Sequence, residues 1–353
     1  MGNLLWEDIQ AQSDNLLHVI EHLYGRERDH LEKAGEFLRN DRPIALIGVA
    51  SAAYLCMPAE FYWNKCGRYA SLVNASDAFY DLLPMLRHAN VVINSRSGET
   101  VEIVKLGRAL TENDIPFIAI TNEPESTLAG MASHVVWSNT RKDELVSINV
   151  VTGMMITTLA LASASIGRLD EIYLQLDQLG HRMPDVIQRA RDQADELLDL
   201  LKSIRPLYLI YRGASKGSAH CGRLVLEEVS RFPSIPLEAA EFRQGPNEVI
   251  DERFGAVIFV PEGQPGNLNR SLGEDILRSG GRVLFIGNVN QINHPNARIF
   301  PIPGIPDELR PVLEIVPLQF LAFHLAQSQG YTPGEVRYIS KVILNEEGIP
   351  NQT

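Results

Sequence analysis

The sequence predicts an α/β protein made of two similar halves, each a parallel sheet with helices on both faces. Two observations carry that expectation: strand-length apolar runs alternate with helix-length segments, and the stretch that opens the alternation is repeated later in the chain. Leu4, Leu5, Ile9, Leu16, Leu17, Ile20 and Leu23 recur at helical spacing, and Leu31 and Phe37 continue it, so residues 1–40 are predicted as a helical arm. From Pro43 the rhythm changes, and Ile44–Val49, Val91–Ile93, Phe117–Ile120 and Val135–Trp137 read as strands. The longest apolar region, Val146–Ile166, is interrupted by Asn149, Gly153 and several Thr and Ser, and is read as a buried helix, not a membrane span. A charged helical stretch from Asp170 to Lys202 follows. Arg42-Pro43-Ile44-Ala45-Leu46-Ile47-Gly48-Val49-Ala50-Ser51 then reappears, with one insertion, as Arg205-Pro206-Leu207-Tyr208-Leu209-Ile210-Tyr211-Arg212-Gly213-Ala214-Ser215. Val257–Val260, Val283–Ile286 and Arg298–Ile302 echo the later strands of the first half. The expected organisation is the arm, a first domain over 41–203, and a second over 204–353 that ends in a C-terminal tail.

The chain has 353 residues, 45% hydrophobic and 22% charged, which excludes disorder and collagen-like repeats. Its 44 acidic and 32 basic side chains leave a net charge of −12 with no polybasic run, so a nucleic-acid surface is not expected and any anionic ligand must be held locally. Cys56, Cys66 and Cys221 form no C-x-x-C or Cys/His cluster, so neither a disulfide framework nor a metal site is expected. The opening Met1–Asp8 carries acids where a secretory signal is basic, and a cytoplasmic protein without a membrane partner is the expectation.

The stretch Val91–Val104 is the most informative: a strand, a hydroxyl-rich turn with one glycine, then a helical pattern. Ser95, Ser97 and Thr100 would surround a helix N-terminus that suits a phosphate or another tetrahedral oxyanion, and Arg96 would add a charge-assisted hydrogen bond. The plainer reading is that these hydroxyls cap the helix. Gly48-Val49-Ala50-Ser51 is a second turn of this type, opening at the same sheet edge. Neither turn has the spacing of a Walker loop or a dinucleotide fingerprint. In the helix after Ser215, Glu227 lies four residues from Arg223 and Arg231, on a solvated face. Glu228 instead falls three residues after Val225 and four after Leu224, on the apolar side, where desolvation raises a carboxyl toward the range of a general base. Gly245-Pro246 ends a short helix and leaves Gln244 at a turn. Lys341 stands against the apolar run Val342–Leu344, where a lysine ordinarily reaches for the surface.

From about Arg42 to Leu344 these motifs together resemble the sugar isomerase (SIS) family in its double-domain form. The similarity is closest to the isomerase half of glutamine–fructose-6-phosphate aminotransferase and to the related free-standing aminosugar-phosphate deaminases and deglycases. Ser95-Arg96-Ser97-Gly98-Glu99-Thr100 looks like the family's S-Q-S-G-E-T phosphate loop. Glu227-Glu228-Val229-Ser230 is similar to its K-E-I-S segment, and Phe242-Arg243-Gln244-Gly245-Pro246 to its L-K-H-G-P turn. Pro317–His324 and Ile339-Ser340-Lys341 resemble the closing P-L-Q-L-L-A-Y-H helix and L-A-K tail.

The resemblance implies two flavodoxin-like SIS domains, a homodimer, a sugar phosphate as ligand and no cofactor. It implies that Ser95, Ser97 and Thr100 hold the phosphate, and that Ser51 and Ser147 line the sugar pocket. Glu228 would move a proton between C1 and C2 through an enediol or enolamine, and Lys341 would contact or form an imine with the carbonyl carbon. Three departures qualify the transfer. No glutaminase domain precedes the repeat in this sequence, so amino transfer from glutamine is not expected. Gln244 stands where the family has its ring-opening histidine, and Val225 where a lysine is frequent; glutamine cannot shuttle a proton near neutral pH. The expected function is an aldose–ketose isomerase, deaminase or deglycase for an (amino)sugar 6-phosphate. The alternatives are a sugar-phosphate-binding regulator without turnover and an isomerase for another anionic hexose, such as a sulfonated one.

Overall fold

The computed structural model describes residues 2–144, 146–289, 292–340 and 342–348. Contacts divide the chain into two units: Ala11–His181 with the tail from Val336 onward, and the residues up to Gln10 with Arg182–Glu335. In the first unit β1 (Ile44–Gly48), β2 (Ala70–Asn74), β3 (Asn90–Ser95), β4 (Phe117–Thr121) and β5 (His134–Trp137) form one parallel sheet in the order β2-β1-β3-β4-β5. In the second, β6 (Leu207–Tyr211), β7 (Ser234–Glu238), β8 (Gly255–Val260), β9 (Arg282–Gly287) and β10 (Ala297–Phe300) form another, β7-β6-β8-β9-β10. Both have the flavodoxin-like order, with helices covering the faces.

Among the strands read from the sequence, β1, β3, β4 and β8 have every residue buried, as a sheet covered on both faces requires. The sequence gives no sign of β2 and β7, which hold corresponding edge positions. Each buries only its first residue, and β7 contains Pro236, which only an edge tolerates, so no continuous apolar run marks them.

The helix Asn149–Ser165 is buried along its whole length and packs against Gln12–Tyr24 and Arg28–Phe37, so these parts of the predicted arm are built into the first unit. Gly35 permits that close crossing, since a Cβ there would stand 2.7 Å from the Ala164 Cβ. The charged stretch after it is two helices, Leu169–Asp192 and Ala194–Leu201, divided at Gln193. Asp307–Ser328 is long and apolar enough to cross a membrane, and it is almost wholly buried. Its part Val316–Ser328 packs on Lys216–Ser230 and Ala194–Leu201, which accounts for that burial within the second unit.

Candidate active site

In the first unit the chain leaves β1 toward β2 on one side, while β3 and β4 lie on the other. The ends of β1 and β3 therefore bound a topological switch point, where open α/β sheets leave a crevice. Ser51 lies there at the start of the short helix Ser51–Tyr54, after Ala50 in a left-handed conformation at φ 49°. The loop Ser95–Thr100 lies on the other side.

That loop is held rigidly by its own residues. Ser95 is buried at the end of β3, and its Oγ accepts the Gly98 N–H at 3.1 Å; the Ser97 Oγ accepts the Glu99 N–H at 3.2 Å. Gly98 has φ 64°, and a Cβ there would overlap the Ser126 hydroxyl, so this position requires glycine. The Glu99 carboxylate accepts the Thr127 N–H at 2.6 Å and the Thr127 hydroxyl at 2.8 Å, tying the loop to the helix Thr127–Met131. Thr100 occupies the N-cap of Val101–Glu112, but its side chain makes no capping bond. The two serines thus close the turn, and the hydroxyl placed to cap the helix does not do so.

Arg96 turns away from the loop. Its Nη2 donates to the Asp143 carbonyl at 2.8 Å and its Nη1 to the Ser147 hydroxyl at 3.3 Å, bringing two predicted residues together. Asp143 was not found by sequence reasoning. Its buried carboxylate accepts the N–H groups of Ile148, Asn149 and Val150 at 2.9, 3.0 and 2.9 Å, and so caps the buried helix Asn149–Ser165. An acid shortly before a long apolar run is the signal that would have pointed to it.

Glu228 lies in the second unit, partly buried on the helix Lys216–Ser230. Burial, with a smaller push from Glu227, raises its pKa to about 7. Among the described residues no cation or hydrogen-bond donor offsets that burial. Glu227 faces solvent and pairs with Arg223 at 3.6 Å, whereas Arg231 lies over the Tyr331 ring at 4.0 Å. Gln244 is exposed in the turn after Ala239–Phe242, with its N–H bonded to the Glu241 carbonyl at 2.9 Å. Val225 is part of the core. Lys341 lies outside the described residues.

The second sheet has its own switch point, between β6 and β8. The Glu314 carboxylate accepts the hydroxyls of Ser215 and Ser218 at 3.2 and 2.6 Å, at the start of Lys216–Ser230. Arg310 pairs with Glu314 at 3.0 Å and donates to the Val260 carbonyl, at the end of β8, at 2.8 Å. Both side chains are fully buried. Ser215, the repeat counterpart of Ser51, is thus engaged by an internal carboxylate. A depression of about 330 Å³ beside β5, lined by Glu27, His30, Lys33, His134 and Trp137 among others, contains none of the predicted residues.

The family model for the SIS domain matches residues 37–164. This stretch is similar to a SIS domain. The glutamine–fructose-6-phosphate aminotransferase of Pyrococcus horikoshii is 23% identical over 92% of the chain and 55% of its own length; that of Pyrobaculum aerophilum is 27% identical over 98% and 58%. The chain spans about half the length of the curated relatives it matches. Among solved structures, the C-terminal domain of the Francisella tularensis glucosamine-fructose-6-phosphate aminotransferase superposes with a TM-score of 0.81 at 19% identity, covering 94% of this chain and 98% of that one. Glucosamine-6-phosphate deaminase of Thermotoga maritima gives 0.76 at 19% identity, covering 96% and 99%. Tagatose-6-phosphate ketose/aldose isomerase of Escherichia coli gives 0.77 at 18%, covering 94% and 95%. The chain carries the flavodoxin-like strand order twice, once in each five-stranded sheet, and its similarities are to an aminotransferase domain, a glucosamine-6-phosphate deaminase and a tagatose-6-phosphate isomerase.

Proposed function

We propose that this protein belongs to the SIS family and is an enzyme that moves a proton between C1 and C2 of a hexose or aminohexose 6-phosphate, as an aldose–ketose isomerase, deaminase or deglycase. The observation that carries this reading is Glu228, a partly buried carboxyl raised to about 7 with no compensating partner among the described residues. Such a group exists in both protonation states near neutrality, as a base that takes a proton from one carbon and returns it to the next must. The Thr100 hydroxyl and the first-turn N–H groups beyond Val101, whose own N–H goes to the Ile343 carbonyl, would supply the anion holder that a strongly acidic chain needs, with Ser95 and Ser97 fixing the turn. Three of the similar proteins are named for reactions of fructose, glucosamine or tagatose 6-phosphates, which share one terminal anion. Gln244 cannot carry the proton that opens a pyranose ring, so on this reading either the substrate enters as the open chain or another group or water opens the ring.

Proton NMR in D2O tests it, using fructose 6-phosphate, glucosamine 6-phosphate and fructosamine 6-phosphate. Deuterium entering C1 or C2 with the wild type and not with Glu228→Gln is the expected result, and the substrate that loses its amine names the reaction. A second reading, binding without turnover, is favoured by the exposed Gln244 and the core position of Val225. It wins if these compounds raise the melting temperature but none exchanges.

A further inference from the structure

The C-terminal segment returns to the first unit at the helix that follows the anion loop. The Ile343 carbonyl accepts the Val101 N–H at 3.0 Å, the first N–H of the helix Val101–Glu112. Three residues on, one carboxylate oxygen of Glu346 receives the Lys105 ammonium at 2.7 Å and the Tyr80 hydroxyl at 2.6 Å. Lys105 lies one turn into the same helix, and Tyr80 ends the helix Ala75–Tyr80. Among the described residues the segment has no helix or strand of its own, so its position depends on such side-chain and backbone ties. Lys105 and Tyr80 also hold the Glu346 carboxyl below its usual range, so its charge is present and largely neutralised at neutral pH.

We infer that Glu346, gripped by Lys105 and Tyr80, is a positioning residue that holds the C-terminal segment on the anion-loop helix, so that docking of the segment and occupancy of the loop favour each other. With the segment docked, Val101 is fixed beside Thr100 and its N–H is satisfied, so the loop has less freedom to lose when an anion binds. The charge that does the gripping lies on Lys105, which leaves little repulsion between Glu346 and a phosphate. Coupling of this kind is reciprocal. The inference rests on the anion reading of the Ser95–Thr100 loop, and its test separates the two.

The test compares wild type, Glu346→Gln and Lys105→Met by hydrogen–deuterium exchange of peptides covering 336–348 and 95–104, with and without inorganic phosphate, alongside phosphate affinity from the melting shift. In the wild type phosphate should slow exchange in the tail peptide. In both variants the tail peptide should exchange faster without phosphate, and phosphate affinity should fall about fivefold or more. Unchanged tail protection in the variants overturns the latch, and so does a freed tail with unchanged phosphate affinity. Failure of the wild type to bind phosphate overturns the anion reading and the coupling with it; a failure confined to the variants is the expected result. These side chains lie on or near the surface, so folding should survive the substitutions.

Discussion

Glu228→Gln should make the protein more stable, and by an amount set by pH. The wild-type carboxyl moves from its ordinary 4.5 to about 7 on folding, mainly by loss of hydration. The folded state therefore keeps a proton that the unfolded chain has released. Well below pH 4.5 both states are protonated and nothing is lost. Between pH 4.5 and about 7 stability falls as pH rises, and above that the folded protein carries the full cost of an ionised, poorly solvated carboxylate. The displacement corresponds to about 3 kcal/mol, and residual solvent contact at this partly buried position makes that an upper figure. A glutamine of similar shape carries no charge, so the variant escapes the cost. The assay is thermal unfolding of wild type and variant side by side from pH 4.5 to 8.5. Other titrating groups are common to both and cancel in the difference. The difference should be near zero at the acid end, grow between pH 5 and 7, and level off above it in favour of the variant. A difference independent of pH, or one favouring the wild type at pH 8, refutes the reasoning. On the proposed function the variant also loses proton exchange, so stability and turnover move in opposite directions at one side chain.

Thr100→Ala removes a hydroxyl that makes no cap, so it should leave the melting temperature nearly unchanged while weakening binding of inorganic phosphate about tenfold, as calorimetry would show. Gly98→Ala places a Cβ against Ser126 at φ 64°; it should destabilise the protein by more than about 1 kcal/mol and abolish phosphate protection in the same melting experiment. Arg310→Met leaves Glu314 buried without its cation and should cost about 3–5 kcal/mol in denaturant unfolding, most of it recovered in the double variant Arg310→Met/Glu314→Leu.

The residues that the sequence made legible are those whose environment is local. Val91–Ile93 and Val257–Val260 are apolar throughout because both sheet faces are covered there, and that coverage shows as an uninterrupted run. Glu228 was readable because helical spacing alone separates its face from that of Glu227. The strands β2 and β7 were not, since each buries only its first residue and carries no such run, and β7 even accepts Pro236. Asp143, Glu314 and Glu346 escaped for a different reason. Each is an ordinary acid in the sequence, and its significance comes from what folding brings to it: three helix N–H groups, a buried guanidinium, or a lysine and a tyrosine more than two hundred residues away. The loop Ser95–Thr100 lies between these cases. Its hydroxyls were visible, but not which of them close the turn and which one remains unused.

Glu314 gives the two halves different relations to the solution around them. A carboxylate attached to the chain has no dissociation constant to satisfy; it is in place at the start of Lys216–Ser230 at any concentration of anything. Mass action therefore has no hold on the second switch point, while on the anion reading it still governs the first. A titration with phosphate should saturate at one equivalent per chain despite two copies of the fold. On that reading the Ser95–Thr100 half should loosen as ligand becomes scarce, while the half that carries Glu314 should not register the change.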